Sequence, residues 1–511
     1  MFIRCKKNKS GSVSVQIISK QHGRYVVIQT VGCSKDPDEI ARLKLAAQDV
    51  IVNPRHQLKL FSLKSRDGLM IENFLTQVAN SDIHTVGPEL IFGVLFDRIG
   101  FNVVPDELFR HIVIARLAYP TSKLKTVDYL FRYRGIKIEI EKVYRFLDKL
   151  HGRYKDKVEQ IAYEYTKQTL KSKLTVVFYD MTTLYFEAED EDDLRKIGFS
   201  KDGKFQKPQI MLGLLVGKGG LPIGYEVFEG NTFEGHTLLP VLRQIQHKYG
   251  FAKPIVVADA AMLSKDNLES LARAKYQFII GARIKNESDK IKHEILIQAS
   301  KMKNGDSFIL RKEDGTRLIV TYSDKRARKD AHNRQRGLKK LRQKIKTGKL
   351  TKEQINNRGY NKFLALSGEV EITVDEDKIK QDMLWDGLKG YVTNSSLPAR
   401  KVIANYSHLW QIEKAFRISK TDLRIRPIYH HHIKRIEAHI CIAFVAYTIY
   451  KELERLLEKS KTGMSVKRAA ELTHNMYELS YTLPGEIRRE GILLKMDKEQ
   501  QILYDIIRKL K

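Results

Sequence analysis

The chain has 511 residues, of which 42% are hydrophobic, and a formal net charge of +30. The length allows roughly two to four domains, and the hydrophobic content supports a folded core and excludes a wholly disordered chain. The charge comes from 91 Lys and Arg against 61 Asp and Glu. It indicates a polyanionic partner and favours nucleic acid over a basic surface without a partner.

The cysteines and apolar runs indicate the compartment. Cys5, Cys33 and Cys441 lie far apart and lack CxxC spacing, which excludes a disulfide scaffold and a zinc ribbon and suits a reducing compartment. The longest apolar run, 440–450, is too short to span a bilayer, and the N-terminus shows no apolar signal core. We therefore expect a cytoplasmic protein with no membrane partner.

The first 170 residues divide into two predicted regions. Strand-like alternation in SVSVQIIS and YVVIQTVG, followed by the helical pattern DPDEIARLKLAAQDVIV, predicts a β/α module over 1–85. In 86–170 the apolar residues recur every three or four positions, which predicts a helical region. Its basic SKLKT segment makes this region a candidate for DNA binding; a packed group of short helices is the alternative.

The order of elements in 171–285 predicts the fold class. Three predicted strands are followed by alternating helices and strands. The strands are predicted at 174–180, 208–216, 222–229, 253–259 and 276–282, and the helices at 236–250 and 264–275. This is the order of an RNase H-like α/β fold, in which a mixed sheet is flanked by helices.

The segment 286–385 interrupts this pattern and is predicted to be an insertion. FILRKEDGTRLIVTY indicates a β hairpin, and 325–350 indicates a basic helix with leucines at helical spacing. We expect this helix to contact DNA phosphates, although a solvated helix is the alternative. The residues predicted to make these contacts are Arg326, Arg328, Lys339 and Lys340.

The catalytic core is predicted to resume over 386–458. GYVTN indicates a returning strand, and 398–423 indicates a long helix. The remaining residues, 459–511, are predicted to form a helical C-terminal tail.

An aspartate interrupts the run VVFYDMTTLYFEAED (176–190), which otherwise reads as a buried strand. Burial of Asp180 would be costly unless its carboxylate is paired, hydrogen-bonded or bound to a metal. Asp180 ends the first predicted core strand, and Asp259 ends the strand after the first core helix. Both would therefore project into the crevice where strand ends meet, and Glu413 in the late helix would close the site from the side.

Two aspartates and one glutamate are hard oxygen ligands, which suit Mg²⁺ or Mn²⁺ better than Zn²⁺. Two such ions about 4 Å apart can activate a water or a 3′-hydroxyl and stabilise the leaving oxygen of a phosphodiester. Each acid also has a structural alternative: Asp180 could cap a turn, Asp259 could cap a helix, and Glu413 could pair with a Lys or Arg. Their joint placement favours the metal site.

Side chains around Glu413 recur every three or four residues, so they would line one face of the predicted helix. The series is Tyr406, Leu409, Glu413, Arg417 and Lys420. A glutamate flanked by a tyrosine and two cations suits a phosphate backbone held beside metal ions. An amphipathic helix with a mixed-charge edge is the alternative.

Four stretches resemble the DDE transposases of bacterial insertion sequences. They are YDMTTLYFE (179–187), GYEVFEGNT (224–232), VVADAAMLS (256–264) and YSHLWQIEKAFRISK (406–420). The last stretch resembles the group with a Tyr-x2-Arg-x3-Glu-x6-Lys signature. The resemblance implies that Asp180, Asp259 and Glu413 form the metal-binding triad.

The same resemblance implies DNA contacts near the cleavage site. Tyr406 and Lys420 match the signature tyrosine and lysine. Leu409 stands where the signature has arginine, which leaves open which cation holds the phosphate; Arg417 is the candidate.

The resemblance also implies a cut-and-paste transposase. Such a protein would bind the terminal inverted repeats of its own element, pair two double-stranded DNA ends in a homodimer, and join them to target DNA. It would use two Mg²⁺ ions, for which Mn²⁺ could substitute, and would be associated with a prokaryotic nucleoid. No GxxxxGK[ST] loop occurs, so we expect no nucleotide cofactor. The alternatives are an RNase H-like structure-selective nuclease and a catalytically inactive, transposase-derived DNA-binding protein.

A histidine tract, His430 to His432, follows the late helix. It lacks a partner set at metal-ligand spacing. We therefore expect it to lie at a helix entry near DNA.

Overall fold

The computed structural model describes most of the chain as two compact units, Met1–Asp82 and Ile83–Lys511. The described residues are 1–21, 23–52, 71, 74–76, 78–171, 174–201, 203–250, 253–262, 264–347, 359–367, 371–482 and 488–510. Within those ranges, no helix is long and apolar enough to cross a membrane.

In its described residues the N-terminal unit packs a helix against an antiparallel sheet with the strand order β1-β2-β3. The elements are β1 (Phe2–Lys7), β2 (Val13–Gln21), β3 (Arg24–Ser34) and α1 (Pro37–Val52). Alternate residues of a strand face opposite sides, so Val15 and Ile17 both face Leu43 and Ala47 of α1 and form a small core with them.

The second unit begins with a short strand and a group of helices. The elements are β4 (Ile83–Thr85), α2 (Val94–Ile99), α3 (Glu107–Ala118), α4 (Lys123–Arg134), α5 (Ile140–Lys149) and α6 (Lys155–Thr169). Asp106 and Ser122 cap α3 and α4 through their side chains, as expected for residues that satisfy free amides at a helix start.

The strands and helices predicted between 171 and 285 are present. They are β5 (Val176–Tyr185), β6 (Gln209–Val216), β7 (Pro222–Glu229), α7 (Leu238–Tyr249), β8 (Ile255–Ala258), α8 (Lys265–Arg273) and β9 (Gln277–Ala282). The first three strands form an antiparallel meander, and β8 and β9 continue the sheet in parallel from β5. The predicted mixed α/β fold, with an RNase H-like strand order, is confirmed.

The segment after β9 contains the predicted hairpin and basic helix. Its elements are α9 (Asp289–Ala299), β10 (Ser307–Arg311), β11 (Arg317–Tyr322), α10 (Asp324–Lys346), β12 (Leu364–Ser367), β13 (Glu371–Val374) and α11 (Glu376–Met383). Leu338 and Leu341 of α10 pack with Phe363 and Ile379 in a small core of their own.

A returning strand, β14 (Leu388–Thr393), changes the interpretation of that hairpin. In the described residues the main sheet has the order β10-β11-β14-β9-β8-β5-β6-β7. We predicted the hairpin as part of a separate insertion, and that is wrong, because β14 pairs with β9 on one side and β11 on the other. Among the described residues of 286–385, β12 and β13 pair with each other and lie, together with α10 and α11, outside the main sheet.

The late helices also differ from the prediction. They are α12 (Ala399–Ser407), α13 (Trp410–Arg417), a π-helical turn (Ile418–Asp422) and α14 (Ile433–Lys459). The predicted continuous helix over 398–423 is wrong, because it is interrupted at His408 and Leu409. The buried helix α14 packs against α3, α5 and α6.

The predicted helical tail is also wrong in part. It contains α15 (Val466–Thr473) and α16 (Lys498–Arg508), but also β15 (Tyr477–Thr482) and β16 (Arg489–Leu493). β15 pairs with both β16 and β4. β15 is therefore paired with a strand, β4, that lies almost 400 residues earlier in the chain. A local sequence pattern does not indicate such a distant partner.

Candidate active site

Asp180 lies in the middle of β5, whereas the sequence placed it at a strand end. The strand continues because residues up to Tyr185 pair with β6. By alternation, Asp180 faces the same side as Phe178 and Leu184, both of which pack in a core with Ile412 of α13. Asp180 therefore faces the side of the sheet that carries α13.

Burial raises the pKa of Asp180 to about 6, and the carboxylates of Glu234 and Asp259 act in the same direction. The Met181 amide donates to its Oδ1 at 2.7 Å. The Lys201 ammonium lies 3.9 Å from the same oxygen and 2.7 Å from Glu234 Oε1. Asp180 is thus a largely buried carboxylate whose negative charge Lys201 offsets only in part.

Asp259 follows β8 and lies beside Asp180. β5 and β8 pair in parallel with Phe178 opposite Val257. Continuing this register by two residues places Asp259 level with Asp180, on strands about 4.8 Å apart. This register agrees with the effect of Asp259 on the pKa of Asp180.

Tyr406 holds the Asp259 side chain from α12. Its hydroxyl donates to Asp259 Oδ1 at 3.3 Å, and the Ala260 amide donates to the same oxygen at 2.6 Å. Gly281 of β9 makes room for this tyrosine, because a Cβ there would lie 2.4 Å from the Tyr406 oxygen. Burial and the charge of Asp259 raise the pKa of Tyr406, so it stays a neutral donor.

Glu413 is exposed on α13, while its helix neighbours Ile412 and Phe416 are buried. The helix packs against β5 and β6. The charges of Glu413 and Asp259 both act on Tyr406 and on Lys389 of β14. Tyr406 and Lys389 therefore both lie within the electrostatic influence of Asp259 and Glu413.

The residues predicted to share one helix face with Glu413 do not form a single face. Tyr406 and Leu409 are buried, whereas Glu413 and Arg417 are exposed, because the helix is interrupted between the two pairs. Leu409, at the signature arginine position, packs in the core. Arg417 ends α13 one turn after Glu413, and Lys420 is half-buried in the following turn.

Lys389 was missed by the sequence analysis. Its ammonium lies 4.5 Å from the Tyr406 ring centroid and 5.5 Å from that of Tyr391. Burial and the charge of Arg326 lower the pKa of Lys389. The only sequence signal is a lysine in an otherwise apolar strand, LKGYVT. Lys201 and Glu234 were also missed, and for Lys201 no local signal exists.

A cavity of 670 Å³ extends from Asp259 and Tyr406 toward the basic helix α10. Arg326 and Arg334 line it, together with Trp385. Arg326 donates to the Leu388 carbonyl at 3.1 Å, and Arg334 donates to Asp386 at 2.6 Å. The other basic residues predicted on this helix, Arg328, Lys339 and Lys340, are exposed and lie outside the cavity.

The metal-binding potential is carried by carboxylates. Across the described ranges, no three His, Cys, Asp or Glu side chains are grouped closely enough to hold a metal ion as they stand. The donor set nevertheless fits a hard divalent cation, since Asp180, Asp259 and Glu413 offer only oxygen ligands.

A family model described as a transposase DDE domain matches residues 171–449. Among solved structures, the piggyBac transposase synaptic complex with hairpin DNA is 9% identical, with 76% of this chain and 79% of that chain covered and a TM-score of 0.37. The Mos1 transposase paired-end complex with the left transposon end is 14% identical, with 31% of this chain and 53% of that chain covered and a TM-score of 0.16. No curated protein matches the chain.

The match covers more than half of the chain, including the strands that carry Asp180 and Asp259 and the helix that carries Glu413. The chain therefore belongs to the family of DDE transposases, and it is an enzyme of that class. Enzymes of this family generally use divalent metal ions.

Proposed function

We propose that Asp180, Asp259 and Glu413 form the catalytic triad of a cut-and-paste transposase that cleaves DNA and joins it to a target. The observation that carries the proposal is the parallel pairing of β5 and β8, with Phe178 opposite Val257, because continuing this register by two residues would set Asp259 beside Asp180. Two Mg²⁺ ions, or Mn²⁺ in their place, would activate a water or 3′-hydroxyl and stabilise the leaving oxygen when bound there.

The surrounding residues support the roles of the acids. Tyr406 orients Asp259 through its hydroxyl, and Lys201 offsets part of the charge of Asp180. Glu413 is exposed, so its side chain can turn toward the two aspartates to complete a shared coordination sphere. The raised pKa of Asp180 shows that its negative charge is poorly stabilised in the free protein, and a bound metal ion would stabilise that charge.

We also propose that the substrate is double-stranded DNA bearing terminal inverted repeats, held by a homodimer with paired ends. The family and the net charge of +30 support a DNA substrate. Near the acids, Tyr406, Arg417 and Lys420 would contact the DNA backbone. On α10, Arg326 would do so within the cavity that begins at Asp259, and the exposed Arg328, Lys339 and Lys340 would do so outside it.

The test is a cleavage and strand-transfer assay on a duplex carrying the element's end, with Mg²⁺ or Mn²⁺. Glu413→Gln should abolish both nicking and joining, because it removes one carboxylate without changing side-chain volume. Glu458→Gln, at an exposed position of α14, is the matched control and should retain both.

A second readout does not depend on activity. Mg²⁺ or Mn²⁺ should raise the unfolding temperature of the wild type and not that of Asp180→Asn. Cleavage without joining would support a nuclease instead. DNA binding without chemistry in either metal would support a catalytically inactive DNA-binding protein.

A further inference from the structure

A second cavity, of 540 Å³, lies on another part of the second unit. It is formed by α3, the start of α4 and the segment that leads into α14. Its charged lining residues are Arg116, Lys123, Lys125, Arg424 and Arg426. The described residues that line it include no Asp or Glu, so the pocket is strongly positive and shares no residue with the acid site.

Two of these cations are buried without a counter-ion. Lys123 is 5% exposed, and its ammonium has no hydrogen-bond partner among the described residues. Arg116 is equally buried; within the part of the chain that the structure describes, its guanidinium donates only to the Leu423 and Arg424 carbonyls, both at a long 3.4 Å. Burying an ammonium without a partner costs several kcal/mol.

The pKa values of the pocket agree with this geometry. Burial lowers the pKa of Arg116 to about 10. It also lowers the pKa of Lys123 well below its usual value, and the charge of Arg116 adds to that effect. An anion in the pocket would reverse both shifts, because it favours the charged forms.

The start of α4 adds a further anion-binding element. Ser122 caps this helix, and Lys123 is its first residue, so its first-turn amides and the positive end of its dipole adjoin the cavity. The Nδ1 of buried His439, another lining residue, also lacks a hydrogen-bond partner among the described residues.

We propose that this pocket binds a phosphate group of the DNA backbone, an assignment that rests on the proposed DNA substrate. The Arg426 guanidinium lies 5.7 Å from the ring centroid of Tyr185, the last residue of the strand that carries Asp180. Tyr185 is about 17 Å along this strand from Asp180. A DNA strand covers that distance in roughly five nucleotides.

The primary experiment measures binding of a random-sequence duplex to the full chain over a range of salt concentrations. Lys123→Met should weaken binding about tenfold at fixed salt and lower the slope of log K against log salt by about 0.9, which corresponds to one lost phosphate contact. Lys125→Gln, on the exposed rim, should lower the slope without risk to the fold. Lys292→Met is the control, since that lysine is already paired with Asp289 at 2.6 Å.

A second measurement separates a ligand role from a structural role. In chloride buffer Lys123→Met should be at least as stable as the wild type, because it removes an uncompensated buried charge. Inorganic phosphate at constant ionic strength should raise the unfolding temperature of the wild type and not that of Lys123→Met.

The outcomes distinguish the source of the anion. Phosphate stabilisation with an unchanged DNA slope would overturn the DNA assignment in favour of a small free anion. Loss of stability in Lys123→Met, with no response of the wild type to phosphate, would overturn the proposal that this pocket binds an anion. A wild type that responds to phosphate at Lys123 but binds no duplex would overturn the DNA substrate itself.

Discussion

At the residue scale, Gly281 and Tyr406 illustrate how closely the candidate site is packed. The Tyr406 hydroxyl occupies the space that a side chain at position 281 would need. Only a glycine there lets the hydroxyl reach Asp259. The position of one carboxylate therefore depends on a residue that carries no chemistry.

We predict that Gly281→Ala lowers the free energy of unfolding by about 1–3 kcal/mol and reduces DNA cleavage, because the methyl group displaces Tyr406 from Asp259. Chemical denaturation and the cleavage assay measure the two effects. Gly152→Ala is the control, since a Cβ at Gly152 meets no atom within 4 Å.

A double variant tests the cause of this loss. Tyr406→Phe removes the clashing oxygen, so Gly281→Ala should cost less in that background than in the wild type. Equal costs in the two backgrounds would contradict the proposed contact.

We predict that His430 makes the stability of the protein depend on pH. This histidine lines the positive cavity. Burial and the nearby charges of Lys123 and Arg435 lower its pKa to about 3. The unfolded chain therefore binds this proton more tightly, so stability is full above pH 6.5 and falls as the pH drops below that value.

We expect the free energy of unfolding of the wild type to fall, relative to His430→Gln, by up to about 1.4 kcal/mol per pH unit below 6.5. Urea denaturation in chloride buffer at pH 7 and pH 5 measures the difference. His247→Gln, at an exposed position of α7, is the control. Parallel pH profiles for the wild type and His430→Gln would contradict the shift.

At the element scale, the basic helix α10 has two faces with different tasks. One face docks through Leu338 and Leu341 and through Arg334, which is paired with Asp386. The other face exposes Lys339 and Lys340. The sequence predicts the helix and its charge, but not which cations are used for docking.

We predict that Arg334→Ala lowers the free energy of unfolding by about 3 kcal/mol, because it leaves Asp386 without its buried partner. The double substitution of Lys339 and Lys340 by Ala should leave stability unchanged and lower the salt slope of DNA binding by about 2. Denaturation and binding titrations separate the two effects. An equal effect of both substitutions on stability would contradict the division into two faces.

At the scale of the whole molecule, the two units have separate cores. Among the described residues, the core of the N-terminal unit draws on positions before 52, and the two large cores draw on positions after 90. We therefore expect residues 83–511 to fold without the first unit. Circular dichroism should show a cooperative transition at nearly the wild-type temperature, and a non-cooperative transition would contradict this independence.

Local patterns in the sequence determine much of this protein. Strand and helix periodicity predicts β5 to β9 and the mixed α/β fold, because each element buries its own apolar residues on one side. The acids stand out for the same reason, since Asp180 interrupts an apolar strand. Family membership is confirmed by the match over 171–449, while the roles of the three acids remain predictions.

Only the tertiary structure decided the pairings between distant segments. The hairpin β10–β11 joins the core sheet because β14, about 70 residues later, lies between it and β9. Arg116 and Lys123 share a pocket with Arg426 only after chain segments about 300 residues apart have packed together. The Lys389 ammonium reaches the Tyr406 ring only once β14 and α12 have packed beside each other. Such contacts depend on long-range packing and register, which leave no periodic trace in the local sequence.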